Sequence, residues 1–116
     1  MTEEKKAKFK EAGLQLDSAM RRFMNNEKMV EKYLNRFLSE QSYAELKEAL
    51  QAGDAEKAAR AAHTLKSVCG TLGFVKMQQQ VIDEEALIKN GKMDEAVAKA
   101  PEIEEEYQRI CALISE

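Results

Sequence analysis

Residues 61–70 read Ala61-Ala62-His63-Thr64-Leu65-Lys66-Ser67-Val68-Cys69-Gly70, and turning each residue by 100°, as an α-helix requires, divides the stretch into two faces. Ala58, Ala61, Ala62, Leu65, Val68, Cys69 and Leu72 gather on one side and are suited to burial against other helices. His63, with Ala59, Lys66, Ser67 and Gly70 around it, lies roughly opposite. A helix with one buried stripe and one open face belongs to a protein built by packing helices together.

Punctuation on either side supports that reading. Gly53 ends the preceding helix as a C′ residue and Asp54 caps the next, which runs to about Gly70. Gly13, Gly53, Gly70, Gly73, Gly91 and Pro101 are the only strong breakers, and none of the stretches between them alternates as a strand would. Upstream, helices are expected at about 3–12 and 17–25, the second with Asp17 as N-cap and Leu16, Met20, Phe23 and Met24 at helical spacing. From Asn26 to about Gln51 the apolar face turns: Val30, Leu34, Phe37 and Leu38 share one stripe, while Leu46, Ala49 and Leu50 lie well round from it. One bending helix is the preferred account, and a restart at the capping-box match Ser42-Tyr43-Ala44-Glu45 is the other. Downstream, helices are expected from Phe74 to about Asn90, over about 93–100, and from Pro101 in a first turn through Ile114. The expected fold is all-α: an antiparallel up-and-down four-helix bundle over residues 26–116 with a short N-terminal helical lid over residues 1–25, the whole forming one domain.

Composition agrees and narrows function. A chain of 116 residues with 44% hydrophobic and 34% charged residues, one Pro and no Trp fits a helical globular domain rather than a disordered or β-rich one. A net charge of −3, with no segment of clustered Lys and Arg among aromatics, lacks the footprint of nucleic-acid binding. No apolar run is long enough for a membrane span or an export signal, so a cytoplasmic location is expected. Cys69 and Cys111 are too few for a disulfide framework and, with one histidine, make a poor zinc set; both are expected to be small buried hydrophobes, and no metal site is expected.

A single histidine on a surface is ordinary, but its neighbours here are not. Ala59 and Ser67 stand one turn before and after His63 and Gly70 two turns on, so no large side chain shades the imidazole. Gly70 costs the helix about 1 kcal/mol relative to Ala unless it ends it, so either close approach of a partner or helix termination explains it. Lys66, three residues on, places an ammonium within reach of anything attached to the ring.

At this point the chain resembles the histidine-containing phosphotransfer (HPt) domains of multistep phosphorelays, whose signature reads approximately A-H-T-L-K-[GS]-x-x-x-x-[LI]-G. Ala62-His63-Thr64-Leu65-Lys66-Ser67 and Leu72-Gly73 match it. Leu16-Asp17 through Phe23, Phe37-Leu38, Leu46 with Ala49-Leu50, and Gly53-Asp54 are similar to the family's upstream pattern. The resemblance implies that His63 is the phosphorylated nucleophile, that Lys66 steadies the phosphoryl group, and that Ser67 and Gly70 keep a docking surface open. The family often places a Gln or Glu on the following helix to hold the imidazole, and Glu85 occupies that position. The wheel puts Glu85 on the inward side with Phe74, Met77, Val81 and Ile88, where a carboxylate needs a partner.

The function so implied is that His63 accepts a phosphoryl group from a receiver-domain aspartyl phosphate and passes it to another receiver aspartate. Docking would use Ala59, Ser67 and Gly70 with Met20, Phe23 and Met24 of the lid. With no P-loop or G-x-G run and no acidic pocket for Mg²⁺, the chain is expected to be a phosphotransfer intermediate without kinase activity, binding no cofactor itself, with Mg²⁺ held by the partner receiver domain. Its expected partners are response-regulator receiver domains and a hybrid sensor histidine kinase, and the chain is expected to be a monomer. The alternative is a helical module that binds receiver domains without phosphotransfer. A metal or redox role for His63 with Cys69 or Cys111 is disfavoured because Cys69 and His63 point to opposite sides of the wheel.

Overall fold

The turning apolar face between Asn26 and Gln51 resolves into two helices rather than one. A computed structural model describes residues 1–116 and contains seven α-helices and no strand. They are α1 (Glu3–Glu11), α2 (Leu16–Arg22), α3 (Glu27–Phe37), α4 (Gln41–Ala52), α5 (Ala55–Leu72), α6 (Val75–Lys89) and α7 (Met93–Ser115). The expected continuity of residues 26–51 is therefore corrected, and so is the site of the restart. Glu40, not Ser42, caps α4: its carboxylate accepts from the Ser42 backbone N–H at 3.2 Å and the Ser42 hydroxyl at 2.7 Å. A distant residue holds the break. The Tyr107 hydroxyl donates to the Phe37 carbonyl at 2.7 Å and accepts from the Glu40 N–H at 3.4 Å, satisfying one backbone group on each side of the interruption.

Other boundaries follow from their caps. Asp54 accepts from the Lys57 N–H at 3.1 Å and starts α5, as expected. Gly70 does not end that helix; Gly73 does, with φ +79. A Cβ on Gly73 would stand 2.3 Å from the Gln15 carbonyl oxygen, because the α1–α2 linker crosses here and the Gln15 N–H donates to the Gly73 carbonyl at 2.9 Å. That contact fixes the entry to α2, which begins at Leu16, so Asp17 sits in the first turn rather than at the cap. Pro101 does not open a last helix either. It lies inside the continuous α7, where Ala96, Ile103, Ile110 and Ile114 are buried on both sides of it and offset the missing N–H.

The core is one cluster of 23 buried apolar residues drawn from every helix, from Phe9 of α1 to Ile114 of α7. α5 packs most extensively, against α4 on one side and α6 on the other, and α6 packs on α7. Phe37 sits edge-on to Phe74 at 4.9 Å and beside Tyr107 at 5.1 Å, so the end of α3 locks onto the start of α6 and the middle of α7.

The N-terminal segment is stitched to the rest rather than laid over the His63 face. Phe9 is fully buried, Lys5 donates to the Ile114 carbonyl at 2.6 Å, and Arg109 of α7 donates to the Ala12 carbonyl while chelating the buried Glu106. Besides the Gln15 contact at the end of α5, α2 approaches that helix, where Arg22 donates to the Thr71 carbonyl at 3.2 Å. No helix is long and apolar enough to cross a membrane.

Candidate functional site

α5 turns its alanine-rich face inward, with Ala58, Ala61, Ala62, Leu65, Cys69 and Leu72 buried, which leaves His63 on the outer face with 66% of its side chain exposed. Val68 departs from the expected set: it is half-buried, at the border of the two faces. Beside α5, α6 buries Met77, Val81 and Ile88 and brings Glu85 with them. The buried Glu85 carboxylate is fully engaged. Oε1 accepts from Lys66 at 2.7 Å, and Oε2 faces both His63 Nδ1 and Lys89 Nζ at 3.2 Å.

Burial pushes the Glu85 carboxyl up, but the ammonium groups of Lys66 and Lys89 outweigh it and hold the carboxyl below the usual range. An ionised carboxylate only accepts, so the hydrogen on the neutral imidazole resides on Nδ1. The lone pair is then on Nε2, the nitrogen away from Glu85. Geometry thus sets the tautomer and leaves one nucleophilic atom on the open side of the ring. Lys66 differs from the expected free flank: it is half-buried and bonded to Glu85, the nearest anion.

The face beside His63 is a shallow depression of about 650 Å³ between α5, α3 and the end of α2. His63, Thr64, Ser67, Val68, Thr71 and Leu72 form its floor, and Phe23, Tyr33, Arg36 and Glu40 form its wall. The wall is braced, with Phe23 stacked on Tyr33 at 5.0 Å and the Arg36 guanidinium 5.3 Å from the Tyr33 ring. The hydroxyls of Ser67 and Thr71 bond back to the carbonyls of His63 and Ser67, which keeps them low over the helix.

Of the residues singled out for docking, Ser67 and Phe23 line this depression and Ala59, Gly70, Met20 and Met24 do not. Gly70 lies under the Gln78 side chain of α6, whose amide nitrogen would come within 2.5 Å of an added Cβ, so its smallness serves helix packing. Met24 is 90% exposed on the turn after α2, with φ 56. Tyr33, Arg36, Glu40, Thr64, Val68, Thr71 and Lys89 were not anticipated. Thr64, Val68 and Thr71 continue the His63 face at i, i+4 and i+7 spacing, and Tyr33 and Arg36 share one face of α3, so helical spacing held that signal.

Cys69 is buried in the core, where desolvation pushes its thiol up to about 12. Cys111 is only partly buried, contrary to expectation, with its sulfur 4.0 Å from the Phe37 carbonyl oxygen. No group of three or more His, Cys, Asp or Glu side chains is arranged to hold a metal ion.

A family model described as Hpt domain matches residues 32–113, which include all of α4, α5 and α6. No curated protein and no solved structure matches the chain.

Proposed function

The chain belongs to the Hpt domain family, which performs histidine phosphotransfer in phosphorelays, and from that premise we propose that His63 is the residue that carries the phosphoryl group. The observation that carries the reading is the pinned ring: Nδ1 is held by the buried Glu85 carboxylate while the side chain stays two-thirds exposed, so Nε2 meets solvent and partners. Nε2 attacks the phosphorus of a receiver-domain aspartyl phosphate; the N–P bond forms as the bond to the aspartyl oxygen breaks, and the carboxylate leaves. The return step reverses this onto the aspartate of another receiver.

Glu85 orients the imidazole in this scheme and takes up part of the positive charge that develops on the ring. Lys66 exchanges its bond to Glu85 for one to the phosphoryl oxygens, and Lys89 remains to neutralise Glu85 when it does. The chain contributes nucleophile and positioning; Mg²⁺ is supplied by the receiver domain, and no kinase activity resides here. Receivers dock over the depression beside His63, with Phe23 and Ser67 at its edge and Met20, Met24, Ala59 and Gly70 at the periphery. The scaffold behind this face is an antiparallel up-and-down bundle of α4 to α7. The chain acts as a cytoplasmic monomer between a hybrid kinase and its response regulators.

The test mixes the protein with a receiver domain charged by a small phosphodonor. A label that is labile in acid and stable in base is expected on the protein and absent from His63→Gln. A label that never leaves any receiver, or that reaches His63→Gln equally, overturns the reading.

A further inference from the structure

Between α4 and α7 lies a cavity of about 210 Å³ that Glu84 of α6 also lines and that shares no residue with the His63 depression. At about 30 Å³ per water, it has room for roughly seven water molecules or one small organic group. Its walls are largely apolar, from Leu46 and Leu50 of α4 to Val97, Ala100 and Ile103 of α7. Tyr43, Lys47, Gln51, Glu84 and Glu104 supply its polar groups, and of these only Glu84 is completely buried. The Glu84 side chain has no hydrogen-bond partner for either carboxylate oxygen.

An acid so placed destabilises a fold unless something answers it. No donor of the protein does: Lys47 at the rim is paired with Glu104 at 3.0 Å, and Lys99, the nearest cation on α7, is bonded to Glu102 at 3.3 Å. Tyr43 and Gln51 also line the cavity without donating to Glu84, so the buried carboxylate is an acceptor with no donor beside an apolar surface. We propose that this cavity is a binding site for a small amphiphilic amine, its ammonium group donating to Glu84 and its apolar body packed against Leu46, Leu50, Val97 and Ile103.

Charge selects among ligands. Anions meet the Glu84 and Glu104 carboxylates, and neutral apolar molecules leave the Glu84 oxygens unanswered. Burial, reinforced by Glu102 and partly offset by Lys99, raises the Glu84 carboxyl to about 7. An ammonium ion binds the ionised form. With a carboxyl titrating near 7, the ionised fraction rises about tenfold between pH 6 and pH 8, and affinity should rise with it.

The experiment titrates the full chain with benzylamine, and separately with benzyl alcohol, at pH 6 and pH 8 while recording amide NMR shifts. The expected result is saturable benzylamine binding with shifts at Leu46, Leu50, Val97 and Ala100, about tenfold tighter at pH 8. Glu84→Gln should abolish that pH dependence and weaken binding to the level of the alcohol. Ala100→Phe, which fills the cavity from the opposite wall, should abolish binding of both compounds. Equal affinity for amine and alcohol, undiminished binding to either variant, shifts confined to the His63 face, or no saturation at millimolar amine would each overturn the proposal.

Discussion

Glu84 and Glu85 leave the same turn of α6 toward different sides, and their carboxyls are displaced in opposite directions. Glu85, held below its ordinary value by Lys66 and Lys89 against burial, contributes stability that is present above the unfolded value of 4.5 and lost as pH falls through the lower folded value. Glu85→Gln should therefore cost about 1–2 kcal/mol near neutrality and approach the parent in acid, as read by urea unfolding across pH. Glu84, raised to about 7, behaves inversely: the stability tied to its neutral form is complete below 4.5 and is lost as pH rises through 7. Glu84→Gln should match the parent near pH 4 and exceed it by up to about 3 kcal/mol at pH 8, on about 1.4 kcal/mol per pKa unit. A variant no more stable at pH 8 would mean that Glu84 finds a partner in solution. Sequence placed His63, Lys66 and Glu85 correctly on their helices, because the 3.6-residue period decides which way each points. The bond that ties Lys66 to Glu85, and the presence of Lys89, depend on how closely α5 and α6 approach, which neither helix encodes alone.

At the level of elements, the interruption between α3 and α4 shows where local patterning stops being sufficient. The rotation of the apolar face was visible from Val30 to Leu50, but a bend and a break satisfy it equally. The choice is made by Tyr107, whose hydroxyl serves Phe37 and Glu40 from a helix remote in sequence. Tyr107→Phe keeps the ring stacked on Tyr43 at 3.9 Å and removes only that hydroxyl. It should lower stability by about 1 kcal/mol in denaturant unfolding, through loss of the hydroxyl's bonds to the Phe37 carbonyl and the Glu40 N–H, which keep their own 3.3 Å bond to each other. An unchanged midpoint would mean that the break is held by α3 and α4 themselves. Pro101 teaches the converse. Its usual place at a helix start was overridden because buried residues on both sides of it hold α7 together.

For the molecule as a whole, a segment expected to act as a lid proves to be a strap, drawn against α7 through Lys5 and Arg109 and against the end of α5 through Gln15. Composition and periodicity made the all-helical class legible, whereas a strap and a lid present the same amphipathic pattern and differ only in what they touch. Two glycines separate local from global strain. Gly53 and Gly73 both have positive φ, at +71 and +79, but a Cβ at Gly53 meets open space while one at Gly73 meets the Gln15 backbone. Gly53→Ala should cost about 1–2 kcal/mol, the ordinary penalty of a left-handed alanine. Gly73→Ala should cost distinctly more and loosen the strap, measurable as faster amide exchange in α2. Equal costs would show that the linker moves freely aside. The openness of His63 carries a last consequence, concerning time. Two-thirds of its side chain meets solvent, so the face proposed for receiver docking admits water too. On the proposed reading, a phosphoryl group on His63 would be perishable: hydrolysis would run beside delivery, and the message would last only until one of the two arrived first.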